Sequence, residues 1–181
     1  MFTLPCIGMF YHDVAALLKN AKYVAVIYVK INPEFNIYLD QDENVVALEC
    51  LNADAKDAYG KKSFAGKSLD ETLQTVVSIA AEKGYMKEDQ MVALTITECT
   101  TDLNATELQT KMDSVVTEAA KEQDITVTTA MDMSEEVRMA QKEAGLIKQA
   151  CSNCNGTGDC PDCPVCGGSF KCVVCGGSGT L

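Results

Sequence analysis

The placement of the cysteines constrains the fold of this chain more than any other feature of its sequence. Seven of the ten cysteines fall between positions 151 and 175, in a tail made mostly of Cys, Gly, Pro and Ser. A segment of about 30 residues with so few apolar side chains cannot form a hydrophobic core unaided. The sequence therefore predicts three parts: an N-terminal extension at 1–21, a globular domain at 22–148, and a Cys/Gly-rich module at 151–181.

The spacing of the tail cysteines favours zinc. Two C-x-x-C pairs stand at its ends, each followed by glycines, and a pair with this spacing can direct both thiolates at one ion. Four thiolates complete a closed tetrahedral zinc site. The spacing C-x2-C-x5-C-x2-C also occurs twice, with the middle cysteine shared. The candidate zinc ligands are Cys151, Cys154, Cys160, Cys163, Cys166, Cys172 and Cys175.

Spacing alone leaves the number of ions and the pairing of ligands open. The outer pairs can form one site, which leaves three cysteines to bind a second ion incompletely. Alternatively, two sites share Cys163 as a bridging thiolate, or one ion is bound and spare thiols remain. Disulfides would leave one of seven thiols unpaired. An iron–sulfur cluster also uses four thiolates, but glycine-flanked knuckles fit zinc better. We expect one or two zinc ions.

The tail resembles the DnaJ-type zinc-binding region, whose repeat is C-x-x-C-x-G-x-G. Residues 151–158 (CSNCNGTG) and 172–179 (CVVCGGSG) match this repeat at every fixed position. The resemblance implies that these first and last repeats bind one zinc ion together. The middle repeats are collapsed into CPDCPVC, with one cysteine missing, and no J-domain with its His-Pro-Asp tripeptide is present. The resemblance therefore implies protein contacts rather than co-chaperone activity.

The charge of the chain argues against nucleic acid as a partner. Asp and Glu outnumber Lys and Arg by 26 to 15, a formal net charge of -11, of which the tail contributes only -1. So acidic a protein repels the phosphates of nucleic acids and anionic membranes. The longest apolar run, residues 23–29, is too short to cross a bilayer, and no secretory signal is evident. We therefore expect no membrane segment in this chain and, by default, a cytoplasmic location.

The sequence before the tail alternates between strand and helix patterns. Strands are predicted at residues 23–31, 35–39, 45–51, 91–97 and 125–129, with 40–44 as a polar hairpin turn. Capping residues mark three helix starts, at Ser68, Asn104 and Ser134. These elements predict an α+β domain with a mixed or antiparallel sheet of four to five strands, covered by about three helices.

The Asn32–Pro33 bond follows the first predicted strand and is chemically unusual. Asparagine usually deamidates when the next backbone nitrogen attacks its side chain, but proline has no N–H to supply. The remaining intramolecular route is attack by the Asn32 side-chain nitrogen on its own carbonyl carbon, which closes a succinimide and expels Pro33 as a new N-terminus. Most Asn-Pro steps are simply turns, but a fold that strains the bond can make this cleavage useful.

Residues 22–147 resemble the extracytoplasmic middle domain of the RsgI-type anti-sigma factors. The likeness lies in the strand leading into Asn32–Pro33, the hairpin after it, and four short segments: LNAD, GKSLDE, KGY and the closing KEAGL. In that family a membrane-spanning segment and an intracellular anti-sigma segment precede the domain, which is thought to cleave itself at Asn-Pro. The resemblance implies that Asn32 attacks and Pro33 leaves, and that the domain is extracytoplasmic where the N-terminus is incomplete. Glu34 stands where the family usually has a small residue.

Three hypotheses for function follow. The first is a non-enzymatic regulatory or signalling protein with an RsgI-like domain and a structural zinc module that contacts another protein. The second is a self-processing domain that cleaves Asn32–Pro33 once, so that any autoproteolysis is a single turnover. The third is a DnaJ-like zinc-binding adaptor. The sequence does not indicate which protein is the partner.

Overall fold

A computed structural model describes Leu18 and residues 22–146. Residues 22–146 form five strands and four helices in chain order. Their bounds are β1 Ala25–Lys30, β2 Glu34–Leu39, β3 Val45–Cys50, α1 Ala53–Tyr59, α2 Leu69–Glu82, β4 Gln90–Cys99, α3 Ala105–Glu122, β5 Val127–Met133 and α4 Glu135–Glu143. The predicted N-terminal extension at 1–21, apart from Leu18, and the whole cysteine tail at 151–181 lie outside the described residues.

The five strands form one mixed sheet in the order β3-β2-β1-β4-β5. β1 is antiparallel to both of its neighbours, β2 and β4, and β3 is antiparallel to β2. β4 and β5 are parallel, as their connection through α3 requires. The predicted α+β class, with a mixed or antiparallel sheet of four to five strands, is therefore confirmed, and β1 is the central strand of five.

The hydrophobic core lies between one face of the sheet and the helices α2 and α3, which pack on each other. Alternate residues of a strand point to opposite faces, so Ala25, Ile27 and Val29 of β1 are all turned into this core and have 0% exposure. Helical spacing gives α2 and α3 matching apolar stripes, whose buried members include Leu73, Val76, Val77, Leu108, Met112 and Val116.

Three helices begin where capping residues predicted them. The Ser68 hydroxyl accepts a hydrogen bond from the Glu71 N–H before α2, and the Asn104 side chain accepts from the Glu107 N–H before α3. Ser134 accepts from the Val137 N–H before α4. Each bond satisfies an N–H that has no partner inside the helix. The predicted starts are therefore confirmed.

Helix α1 and strand β5 differ most from the sequence prediction. Helix α1 was not predicted, although Asn52 caps it by accepting from the Ala55 N–H at 2.8 Å. Strand β5 spans Val127–Met133 instead of residues 125–129. Its start is delayed because the Ile125 N–H still bonds to the carbonyl oxygen of Ala120 at the end of α3. Its length is set by parallel pairing with β4, which overrides the local β-branched pattern.

Gln141 of α4 forms hydrogen bonds to the segment that leads into α3. This polar side chain has 0% exposure. Its Nε2 donates to the carbonyl oxygens of Thr100 at 3.0 Å and Leu103 at 2.8 Å, and its Oε1 accepts from the Ala105 N–H at 3.0 Å. Ala105 is the first residue of α3, so its N–H has no acceptor within the helix. One side chain thus bonds to three backbone groups, of which those of Leu103 and Ala105 are buried.

A Gln141→Met variant is expected to lose about 2–4 kcal/mol of unfolding free energy, because the buried Ala105 N–H and Leu103 carbonyl lose their bonds to Gln141 while the volume changes little. Urea unfolding monitored by circular dichroism measures the loss. Gln74→Met, at an exposed position of α2, is the matched control and is expected to change stability by less than about 0.5 kcal/mol. Equal midpoints for the two variants would contradict the role given to Gln141.

Candidate functional site at the Asn32–Pro33 turn

The Asn32–Pro33 bond lies in the three-residue connection between β1 and β2. Lys30 and Glu34 are the last paired residues of the two strands. Beyond them, the Ile31 N–H donates to the Pro33 carbonyl oxygen at 3.0 Å, so that Asn32 alone reverses the chain. Ile31 and Pro33 are buried, whereas Asn32 is exposed. The residue predicted to attack therefore stands at the tip of the hairpin, between two anchored neighbours.

The backbone of Asn32 is in the left-handed region, with φ of 62°. Asparagine enters this region more readily than most residues. A residue that precedes proline, however, favours an extended conformation, so the two local preferences conflict at this position. Sparsely populated backbone conformations cost about 1–3 kcal/mol and persist only where the surrounding structure holds them. The turn therefore places backbone strain next to the bond whose cleavage the family resemblance implies.

The peptide unit before Asn32 is held by Gln90, the first residue of β4. The Gln90 Nε2 donates to the carbonyl oxygen of Ile31. Its Oε1 accepts from the Lys87 N–H at 2.9 Å, and the Gln90 N–H donates back to the Lys87 carbonyl oxygen at 3.3 Å. The Gln90 side chain is thus bonded at both ends, and one end fixes the backbone that enters the turn.

The backbone after Pro33 is held by the segment that leads into α1. The Asn52 Oδ1 accepts from the Glu34 N–H at 3.3 Å while also capping α1. The Leu51 N–H donates to the Glu34 carbonyl oxygen at 2.9 Å. Glu34 is therefore bonded through both of its backbone groups, and the chain is fixed on the far side of the turn as well.

The side chain of Glu34 is paired on the sheet face that points away from the helices. Its carboxylate accepts from the Tyr28 hydroxyl at 3.0 Å and lies 3.8 Å from the Lys30 Nζ. Burial, and secondarily the bond to this carboxylate, raises the pKa of Tyr28 above its ordinary value. These contacts hold the large acidic side chain of Glu34 beside the turn.

The described residues contain no candidate metal site. Within 22–146, no group of three His, Cys, Asp or Glu side chains is arranged to hold an ion. Cys50 and Cys99 are half-buried free thiols that pack against the core. Burial is the main cause that raises the pKa of both thiols, to about 11 for Cys99. The seven predicted zinc ligands lie outside the described residues.

None of the helices in 22–146 has the length and apolarity to span a membrane.

Sequence reasoning did not identify the residues that hold the turn. Asn52 carries a local signal, because an asparagine just before an alanine-rich segment is a typical helix cap. Gln90 carries none, since its partner Ile31 is 59 positions away and only the pairing of β1 with β4 brings the two together.

Comparisons with known proteins give the family of this domain. Residues 24–151 match the family model of the anti-sigma factor RsgI-like central domain. An anti-sigma-I factor RsgI of Bacillus anthracis is 29% identical over 75 residues, which cover 41% of this chain and 17% of that protein. The chain thus spans a small part of the length of the curated relative it matches. Since the family match covers well over half of the chain, the protein belongs to the family of the anti-sigma factor RsgI-like central domain.

Proposed function

We propose that this protein is a regulatory domain that cleaves its own Asn32–Pro33 bond once and keeps the two products together. The observation that carries the proposal is the conformation of Asn32, a left-handed residue at the tip of a hairpin with buried neighbours on both sides. Membership of the RsgI-like family supports a regulatory role for the domain.

The cleavage needs only the atoms of the turn. The Asn32 Nδ2 attacks the Asn32 carbonyl carbon, and the bond from that carbon to the Pro33 nitrogen breaks. The proton lost by the side-chain amide passes to the Pro33 nitrogen, which leaves as a secondary amine. The upstream product ends in a cyclic imide that water later opens. Contacts that fix the backbone reduce the number of conformations the turn must search before it reacts.

The sheet would hold the products together after cleavage. β1 would belong to the upstream product, while both strands that pair with it, β2 and β4, would belong to the downstream one. Two antiparallel ladders and the buried apolar residues of β1 oppose separation. Cleavage alone would thus leave the two products associated. The signal would follow only when β1, with the upstream product, separates from the sheet.

Intact-mass measurement of the full chain tests the proposal. We expect two species, the second beginning at Pro33. Their masses should add up to that of the uncleaved chain while the imide is closed, and to one water more after it opens. A single uncleaved species after prolonged incubation would rule the proposal out.

The curated relative is named an anti-sigma-I factor, and we propose that this domain serves the same class of signalling. A sigma factor would then be the protein controlled by the longer polypeptide to which such a domain belongs, and the domain would be extracytoplasmic. A binding assay between the purified domain and a sigma factor tests this arrangement. We expect no binding, because another part of the longer polypeptide would contact the sigma factor.

We further propose that the tail at 151–181 is a zinc-binding module for protein contacts, supported by its two C-x-x-C-x-G-x-G repeats. Protein purified under reducing conditions is expected to contain one or two zinc ions per chain and to gain reactive thiols when a chelator is added. Replacing Cys151 by Ser should lower the zinc content, whereas Cys50→Ser should not. Metal-free protein with its tail cysteines paired in disulfides would contradict this proposal.

A further inference from the structure

We propose that Gln90 is a positioning residue for the cleavage of the Asn32–Pro33 bond. Its side chain donates to the Ile31 carbonyl oxygen and thereby holds Asn32 in the left-handed conformation. The inference rests on the proposed function, because it assigns a residue to the same reaction. Gln90 bonds to the carbonyl that precedes the reacting one, so it acts through the backbone and not on the reacting atoms.

The position of this hydrogen bond explains how Gln90 acts. The φ angle of Asn32 is the rotation that relates the Ile31 carbonyl to the rest of Asn32. A donor that fixes the Ile31 carbonyl oxygen therefore restricts that angle directly. The buried Ile31 side chain anchors the same peptide unit in the core, at 2% exposure. With both its side chain and its carbonyl held, Ile31 cannot rotate to let Asn32 relax to an extended conformation.

The orientation of the Gln90 amide is fixed by its second contact. The Lys87 N–H can bond only to an acceptor, so it selects the Gln90 Oε1. The Nε2, which is a donor, is then directed at the Ile31 carbonyl oxygen. The amide is thus already oriented before the turn reacts, and no rearrangement of Gln90 is required.

Gln90 gives a cleaner test than Asn52, which holds the other side of the turn. Asn52 also caps α1, and removal of a cap costs about 1 kcal/mol of stability, so folding and positioning would change together. Apart from Ile31, the Gln90 side chain bonds only to Lys87 in an exposed turn, where a change has little effect on the core.

The first experiment follows the appearance of the fragment that begins at Pro33, in freshly synthesised full chain, by mass spectrometry. Gln90→Glu keeps the acceptor for Lys87 but replaces the donor by an oxygen, and Gln90→Met removes the donor without adding charge. Both are expected to slow cleavage about fivefold or more, the equivalent of one net hydrogen bond. Gln74→Glu makes the same charge change at an exposed position of α2 and is expected to cleave at the wild-type rate.

The second experiment measures the backbone φ angle of residue 32 directly. In an Asn32→Asp background the nucleophilic amide is absent, yet the left-handed conformation remains accessible. NMR couplings and the intraresidue N–H to Hα contact of residue 32 should then report a positive φ, and adding Gln90→Met should move them toward extended values. A role of Gln90 in stability alone would leave this signature unchanged.

The outcomes separate this inference from the proposed function. An uncleaved wild-type chain refutes the proposed function, and with it the role of Gln90 in cleavage. Cleaved wild type with Gln90 variants that cleave at the same rate refutes the inference alone. A positive φ at residue 32 that survives Gln90→Met also refutes it. Slower cleavage together with a shifted φ signature is the result we expect.

Discussion

An Asn32→Gly variant of the full chain is expected to remain a single uncleaved polypeptide. Glycine adopts a positive φ without strain, so this change preserves the turn and removes the side chain that carries the attacking nitrogen. Complete loss is expected, and not merely slower cleavage, because the proposed route has no other nucleophile. Intact-mass measurement over the time in which the wild type is fully cleaved detects any product.

Asn32→Ala is expected to be uncleaved as well, but it adds a second effect. Alanine in the left-handed region costs about 1–2 kcal/mol, so this variant should also be less stable than Asn32→Gly. Asn36→Ala, four positions further on in β2, is the control and should cleave like the wild type. A fragment beginning at Pro33 from Asn32→Gly would instead assign the cleavage to a protease or to water.

The helix starts could be predicted because their determinants lie within one turn of the chain. Ser68 and Glu71 are three positions apart, and the bond between them forms wherever that segment is helical. The central strand could be predicted as well, since a short, dense apolar run that ends at Lys30 is typical of a buried strand.

Elements that depend on distant partners were harder to predict. β5 takes its bounds from the backbone of β4, with Gln90 opposite Val127 and Ile96 opposite Met133. α1 is only seven residues long, too short to show a clear helical period. In both cases the information lies in tertiary packing and not in the local pattern.

For the candidate site, too, one part could be predicted from the sequence and another part depends on the fold. The chemistry of Asn32–Pro33 follows from two covalent facts, an amide side chain and a ring nitrogen without a proton. The strain at Asn32 is a property of the fold, because it depends on buried neighbours and on Gln90 from another strand. The zinc assignment of the tail rests on spacing alone and stays a prediction.

Replacing Ile27 by Asp is expected to separate the two products of the cleaved chain, which should otherwise stay together in native buffer. Ile27 has 0% exposure at the middle of β1 and pairs with Ile37 on one side and Ile96 on the other, both also at 0%. An unpaired carboxylate in such surroundings costs several kcal/mol. Before cleavage the strand cannot leave because it is covalently attached, so separation should require both the substitution and the cut.

Ile27→Ala keeps the test informative if the Asp variant fails to fold and cleave. It removes buried volume worth about 2–5 kcal/mol, so its products should separate at a lower urea concentration than those of the wild type. Size-exclusion chromatography with mass detection measures separation. Met139→Asp introduces the same charge at a half-exposed position of α4 and should not promote it. If the Ile27→Ala products separated at the wild-type urea concentration, the packing of β1 would not be what holds them together.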